Sequence, residues 1–111
     1  MAAKANIVID QGADFATTVT VTDNDGNVVD LTGYTARGQI RKHYTSSTSV
    51  GFSFTFSTPR SSGEIALTLT NAQTANMEAG RYVYDVELVS SANVVSRLVE
   101  GMATVTPEVT R

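Results

Sequence analysis

The chain has 111 residues, the length of one ordinary domain, which suffices to bury a core without a metal or a disulfide. It has no cysteine, and its low charged fraction of 17%, with threonine, serine and valine abundant, is typical of a β-protein with a polar surface. A net charge of −3 argues against nucleic acid as a partner, and the lack of any apolar run of roughly 18 residues argues against a membrane.

Residues 15–21 alternate between apolar and hydroxylated side chains, which predicts a half-buried strand. The turn-forming segment 23–27, Asp-Asn-Asp-Gly-Asn, follows it. Its oxygens resemble a calcium loop, but Tyr34 stands where the twelfth-position glutamate belongs, which favours a hairpin turn. We predict that residues 28–31 return as a short second strand.

Residues 34–41 predict a third strand, with Arg37, Gln39 and Arg41 on its polar face. Gly38 on the opposite face indicates a bulge or the close approach of a neighbouring segment. After a polar loop over residues 42–49, four bulky side chains alternate on one face of a predicted core strand over residues 50–56.

The rest of the chain predicts three more strands and one helix. Strands are expected over residues 64–69, 81–89 and 94–105, with Gly101 as a bulge and Pro107 ending the pairing before a short tail. Thr70 and Gln73 form a capping box, which predicts a short helix near residues 71–79. The sequence therefore predicts a single all-β domain over residues 1–111, an antiparallel immunoglobulin-like β-sandwich of seven or eight strands with short terminal extensions.

Few residues suit catalysis. His43 is the single histidine, it lies in a predicted loop, and no nucleophile-elbow motif accompanies it. Asp85 and Glu87 share the outer face of one predicted strand, where Arg97 of the neighbouring strand is expected to pair with either. Tyr82 and Tyr84 are expected in the core or at a corner, since such a hydroxyl often fastens a nearby loop. We predict no catalytic, metal-binding or cofactor-binding residues, and no enzyme activity.

A binding surface is the more credible functional feature. One polar strand face and the loop after it supply the candidate contact residues, which are Arg37, Gln39, Arg41, Lys42, His43 and Tyr44. They fit either a solvated face or a docking face for an acidic neighbour or a glycan.

Four segments carry a family resemblance. These are Asp30-Leu31-Thr32-Gly33-Tyr34-Thr35-Ala36-Arg37, Gln39-Ile40-Arg41-Lys42, Gly80-Arg81-Tyr82-Val83-Tyr84-Asp85-Val86, and the ending from Gly101 to Val105-Thr106-Pro107-Glu108-Val109-Thr110-Arg111. In this order the sequence resembles small virion structural proteins of tailed phages, and the pattern is most similar to those of contractile-tailed, T4-like marine and cyanobacterial phages. It also resembles the immunoglobulin-like N-terminal modules of baseplate and tail-fibre proteins.

The resemblance implies a non-enzymatic component of a phage particle, assembled in the host cytoplasm. Its expected partners are other virion proteins, contacted in multiple symmetric copies in the tail, baseplate, fibre attachment, capsid or collar. The alternative is a β-sandwich module that binds carbohydrate or a cell surface.

Overall fold

The computed structural model describes residues 3–23 and 25–109, which form two packed β-sheets. The strands are β1 (Ala3–Lys4), β2 (Ile7–Asp10), β3 (Phe15–Thr20), β4 (Thr35–Arg41), β5 (Val50–Gly51), β6 (Ser53–Phe56), β7 (Glu64–Leu69), β8 (Gly80–Val89) and β9 (Val95–Thr106). One short helix, α1, spans Asn71–Ala75, and a 3-10 turn spans Arg60–Ser62. Met1, Ala2 and Asn24, and the tail residues Thr110 and Arg111, lie outside the described residues.

The two sheets differ in size and in strand direction. The larger has the order β1-β9-β8-β4-β5, with β2 also pairing along β9, and the smaller has the order β3-β7-β6. Every pairing is antiparallel, as predicted, except those of β1 and β2, which run parallel to β9. The predicted β-sandwich is therefore confirmed, with parallel N-terminal strands as an addition.

The core lies between the sheets and follows the alternation in the sequence. On β7, Ile65, Leu67 and Leu69 are all buried, as the inward row requires. The predicted strand over residues 50–56 is divided, since β5 pairs with β4 of the larger sheet whereas β6 pairs with β7 of the smaller one. Phe52 lies at the crossing and packs edge-on against Tyr84, with ring centroids 6.0 Å apart.

The predicted turn after β3 forms, but the strand predicted over residues 28–31 does not. One carboxylate oxygen of Asp23 accepts hydrogen bonds from the backbone N–H groups of Asp25 and Asn27, at 2.9 and 3.0 Å. Only an isolated bridge between Thr22 and Val28 follows. The hairpin prediction was thus wrong in its second strand, because the chain leaves the sheet after that bridge.

Leu31 instead fixes this irregular segment to the core. Its side chain is fully buried, and its backbone N–H donates to the carbonyl of Arg60 at 3.1 Å. Beside it, the Asp30 carboxylate accepts from the Thr32 hydroxyl at 2.6 Å and from the Thr32 N–H at 3.0 Å. These two bonds, the hydroxyl bond first, hold the pKa of Asp30 below its ordinary value.

The helix begins as predicted and ends early. Thr70 and Gln73 make the complete capping box, with Gln73 N–H donating to the Thr70 hydroxyl at 3.2 Å. The helix stops at Ala75 rather than near residue 79, because Met77 turns into the core and is 3% exposed. The Gln11 side-chain amide holds this position by donating to the Met77 carbonyl at 2.8 Å.

Gly101 is not the bulge that the sequence suggested. The register between β8 and β9 shifts between Val86 and Glu87, which leaves Leu98 as the extra residue on β9. Gly101 is instead a site of close approach, since a Cβ there would lie 2.0 Å from the carbonyl oxygen of Ala5. The glycine therefore makes room for the N-terminal segment between β1 and β2.

Tyr84 fastens the same segment from inside, because its hydroxyl donates to the Ala5 carbonyl at 2.6 Å. This confirms the prediction for the tyrosines, and the Tyr82 hydroxyl likewise donates to the Glu78 carbonyl at 2.8 Å. Burial raises the pKa of the Tyr84 phenol above its ordinary value.

We expect Tyr84→Phe to lower the free energy of unfolding by about 1 kcal/mol, the usual net value of such a bond. The folded state holds the phenolic proton of Tyr84 more tightly than the unfolded state. The stability that this group contributes to the wild type should therefore be fully present below pH 10 and decline above it. Denaturant titrations at neutral and alkaline pH measure both effects. The alkaline decline should be shallower in Tyr84→Phe, and an identical decline in both proteins would contradict this assignment.

Candidate contact surface

The solvent-facing side of the larger sheet, here called the outer face, is built from alternate residues of β4, β8 and β9. On β4 the inward positions are Ala36, Gly38 and Ile40, so that Arg37, Gln39 and Arg41 point outward. The register places Arg37 opposite Glu87, Gln39 opposite Asp85, and Arg41 opposite Val83. A basic and amide row therefore lies directly beside an acidic one.

Ion pairs hold these side chains in place. Arg37 Nε lies 2.7 Å from Glu87 Oε1, and Arg97 lies 3.6 Å from Asp85 Oδ2 and 3.0 Å from Glu100 Oε2. The predicted pairing of Arg97 is thus resolved in favour of Asp85, because Arg37 occupies Glu87. Each exposed pair contributes at most about 1 kcal/mol to stability. The pairs orient Arg37 and Arg97 and balance the local charge.

Arg41 connects the outer face to the loop that follows β4. Its guanidinium donates to Gln39 Oε1 at 2.8 Å and also to the backbone carbonyl of Ser46. Tyr44, which is 84% exposed, lies in this loop. It borders a shallow depression of about 270 Å³ whose other lining residues are Gln39, Arg41, Val83, Tyr84, Asp85, Glu87 and Glu100. The tyrosine is the most exposed aromatic residue in the described part of the chain.

The structure divides the six predicted contact residues. Arg37, Gln39, Arg41 and Tyr44 lie together on or beside the outer face. Lys42 continues the alternation to the other side of the sheet, where its Nζ lies 4.7 Å from the centre of the Tyr82 ring.

His43 remains an exposed loop residue apart from that group. Its backbone N–H donates to the Ser46 hydroxyl at 3.0 Å, and its carbonyl accepts from the Ser46 N–H at 3.1 Å. Its backbone therefore shapes the loop that carries Tyr44.

Sequence reasoning did not assign Glu100 and Met102 to this face. The extra residue Leu98 reverses the inward and outward alternation within β9, so Arg97 and Glu100 both face outward although they are three residues apart. Met102 pairs with Val83 and is 42% exposed. A period-two count along β9 therefore fails at the bulge, because it would place Arg97 and Glu100 on opposite faces.

The outer face presents charged groups and hydrogen-bonding groups to the solvent. Within residues 3–23 and 25–109, no group of three histidine, cysteine or acidic side chains is arranged to hold a metal ion. Across the same residues, no helix has the length and apolar character needed to cross a membrane.

Comparison with known proteins gives a likeness in structure only. No family model matches the sequence, and no curated protein matches it. Among solved structures, the Lin-41 filamin domain is similar, with a TM-score of 0.50 and 13% identity over 89% of this chain and 82% of that one. CopC from Methylosinus trichosporium OB3b has a TM-score of 0.51 and 14% identity over 99% of this chain and 90% of that one.

The chain has the immunoglobulin-like β-sandwich fold. The fold class predicted from the alternation and turn spacing is thereby confirmed. At identities of 13% and 14%, the two likenesses show the fold alone. They do not indicate a function, because one such fold supports many unrelated functions.

Proposed function

We propose that this chain is a non-enzymatic structural component of a phage particle that acts through protein–protein contacts made by its outer face. The observation that carries the proposal is the exposed Tyr44 beside Arg41, on a face whose arginines are already oriented by hydrogen bonds and ion pairs. The resemblance of the sequence to virion structural proteins supplies the setting, in which other virion proteins are the partners.

The residue types on the outer face are those that interfaces favour. Tyrosine, arginine and methionine are enriched in protein interfaces, and tyrosine and arginine are the usual energetic anchors. Here they are Tyr44, Arg37, Arg41, Arg97 and Met102. Because neighbouring carboxylates already orient Arg37 and Arg97, less side-chain freedom is lost when a partner docks.

The charge balance of the face defines the partner more closely. Glu87, Asp85 and Glu100 lie among the arginines, so a uniformly acidic neighbour would meet repulsion as well as attraction. The face fits a partner surface of mixed charge with an apolar recess for Tyr44.

Mass spectrometry of purified particles, combined with complementation by variants, tests the role. We expect wild-type protein in the particles and at least about a tenfold loss of incorporation for Tyr44→Ala, as for an interface anchor. Val94→Ala is the matched control, since Val94 is 63% exposed and lies in the connection before β9, away from the tyrosine. Absence of the wild-type chain from particles, or equal incorporation of both variants, would refute the proposal.

A glycan-binding role is the alternative, and the depression beside Tyr44 favours it. An aromatic ring next to carboxylate and amide groups is a suitable arrangement for a sugar ring. A glycan array should then show binding that Tyr44→Ala removes and Val94→Ala retains. Binding of no glycan would contradict this alternative.

A further inference from the structure

Within residues 3–23 and 25–109, the smaller sheet ends in a strand edge that has no paired neighbour and carries none of the usual protection. β3 is an end strand, and its ladder with β7 is regular from Phe15 opposite Leu69 to Thr20 opposite Glu64. Residues 15–22 include no charged residue, no proline and no glycine. Natural proteins normally block such an edge with charge, proline, a bulge or short length.

The other sheet edges in the described part of the chain are each protected. The edge formed by β1 and β2 is interrupted between the two strands and carries the exposed charges of Lys4 and Asp10. β5 has two residues, and its Gly51 carbonyl already accepts from the Gln73 amide at 3.2 Å. β6 has four residues, and the Arg60 guanidinium lies 4.1 Å from the centre of the Phe56 ring at its end.

The backbone groups at the free edge of β3 can be assigned. The Val21 N–H donates to the Gly63 carbonyl at 2.7 Å, which places the backbone groups of odd-numbered residues toward β7. The N–H and C=O groups of Ala16, Thr18 and Thr20 therefore point away from the sheet, and their side chains are exposed. A groove of about 550 Å³ runs alongside β3, where it separates this strand from the N-terminal segment and the start of β9.

We propose that this edge pairs antiparallel with the same edge of a second copy of the chain, which joins two three-stranded sheets into one. With Thr18 on the two-fold axis, Ala16 of each copy pairs with Thr20 of the other. Three such pairs form about six backbone hydrogen bonds. The two Thr18 side chains then meet at the axis, a favourable cross-strand combination.

The charges that flank the strand select this arrangement. Asp14 has an even number and Asp23 an odd one, whereas this register pairs even-numbered residues with each other. Asp14 therefore lies opposite Thr22 of the other copy and Asp23 opposite Ala13, so the two aspartates never face one another. Parallel pairing in register would place each aspartate beside the same aspartate of the second chain, where like charges repel. The strand is thus complementary to itself in the antiparallel direction.

Sedimentation analysis over a range of protein concentrations tests the pairing. We expect the wild type to form a dimer, and we expect Thr18→Lys to raise its dissociation constant at least about tenfold, because two lysines meet at the axis. Thr55→Lys is the matched control, since Thr55 is an exposed threonine on the same sheet face at the opposite edge. Circular dichroism and thermal unfolding should show that both variants remain folded.

A charge-reversal mixture provides the decisive arm. Thr18→Glu alone should also dissociate, whereas an equimolar mixture of Thr18→Lys and Thr18→Glu should form a mixed dimer that is weakened by salt. The proposal is overturned if the wild type is a monomer throughout, which would leave the edge to a strand of another protein. It is equally overturned if Thr55→Lys, and not Thr18→Lys, dissociates the dimer. The outer face lies on the other sheet, so its Tyr44 test can fail without affecting this result.

Discussion

Gly38→Ala should lower the free energy of unfolding by about 1–3 kcal/mol, the range for forcing extra volume into a packed core. A Cβ at this position would lie 2.6 Å from the Asp85 carbonyl oxygen, and 3.1 and 3.2 Å from side-chain atoms of Phe54 and Val86. The nearest atom belongs to the backbone of β8, which cannot yield without disturbing the ladder between β4 and β8.

Gly51→Ala is the matched control, because a Cβ there would have no atom within 4 Å. It should change the free energy of unfolding by no more than about 0.5 kcal/mol, as is usual for a surface substitution. Urea denaturation of the wild type and both variants measures the difference. Equal stability of the two alanine variants would show that β4 and β8 are not packed as closely as described.

The special role of Gly38 could be predicted from the sequence because the pattern that indicates it lies in residues nearby in the chain. A glycine inside an otherwise regular strand indicates close approach or a bulge, and the alternation around it assigns its face. The same local reasoning identified the inward row of β7, the capping box of α1 and the outward direction of Arg37, Gln39 and Arg41. Where a feature depends on neighbouring residues in the chain, the pattern was sufficient.

The failures concern features that depend on distant segments. In the sequence, Gly101 indicates a bulge. The structure shows instead that a glycine is needed there because the backbone of Ala5, which is remote in the chain, approaches closely. The parallel pairing of β2 along β9 likewise brings the two ends of the chain together, and no period-two pattern encodes strand direction.

The candidate contact surface shows the same division. Residues of β4 were assigned correctly to one face, whereas Lys42 was grouped with them by adjacency although alternation turns it toward Tyr82. Glu100 was missed because the bulge at Leu98 reverses the alternation of β9. In a bulge, two residues of one strand lie opposite one residue of its partner, so its position depends on both strands and is not fixed by the sequence of one.

Leu31→Ala should have a still larger effect, lowering the free energy of unfolding by about 2–5 kcal/mol. Leu31 is fully buried among the core residues, yet it belongs to a segment whose strand pairing is limited to the bridge between Val28 and Thr22. Its N–H donates to the Arg60 carbonyl, and its carbonyl accepts from the Tyr34 N–H at 3.0 Å. Removing the side chain therefore leaves a cavity and also loosens the anchor of the connection into β4.

Val28→Ala is the control for this prediction, since Val28 lies in the same segment but is 49% exposed, and its replacement should cost about 0.5 kcal/mol or less. Denaturant unfolding measures both changes, and hydrogen exchange locates them. In Leu31→Ala, the amides of Leu31 and Tyr34 should lose protection before those of β8, because local opening requires fewer contacts to break. Comparable stability of the two variants would mean that the turn after β3, rather than Leu31, holds this segment against the core.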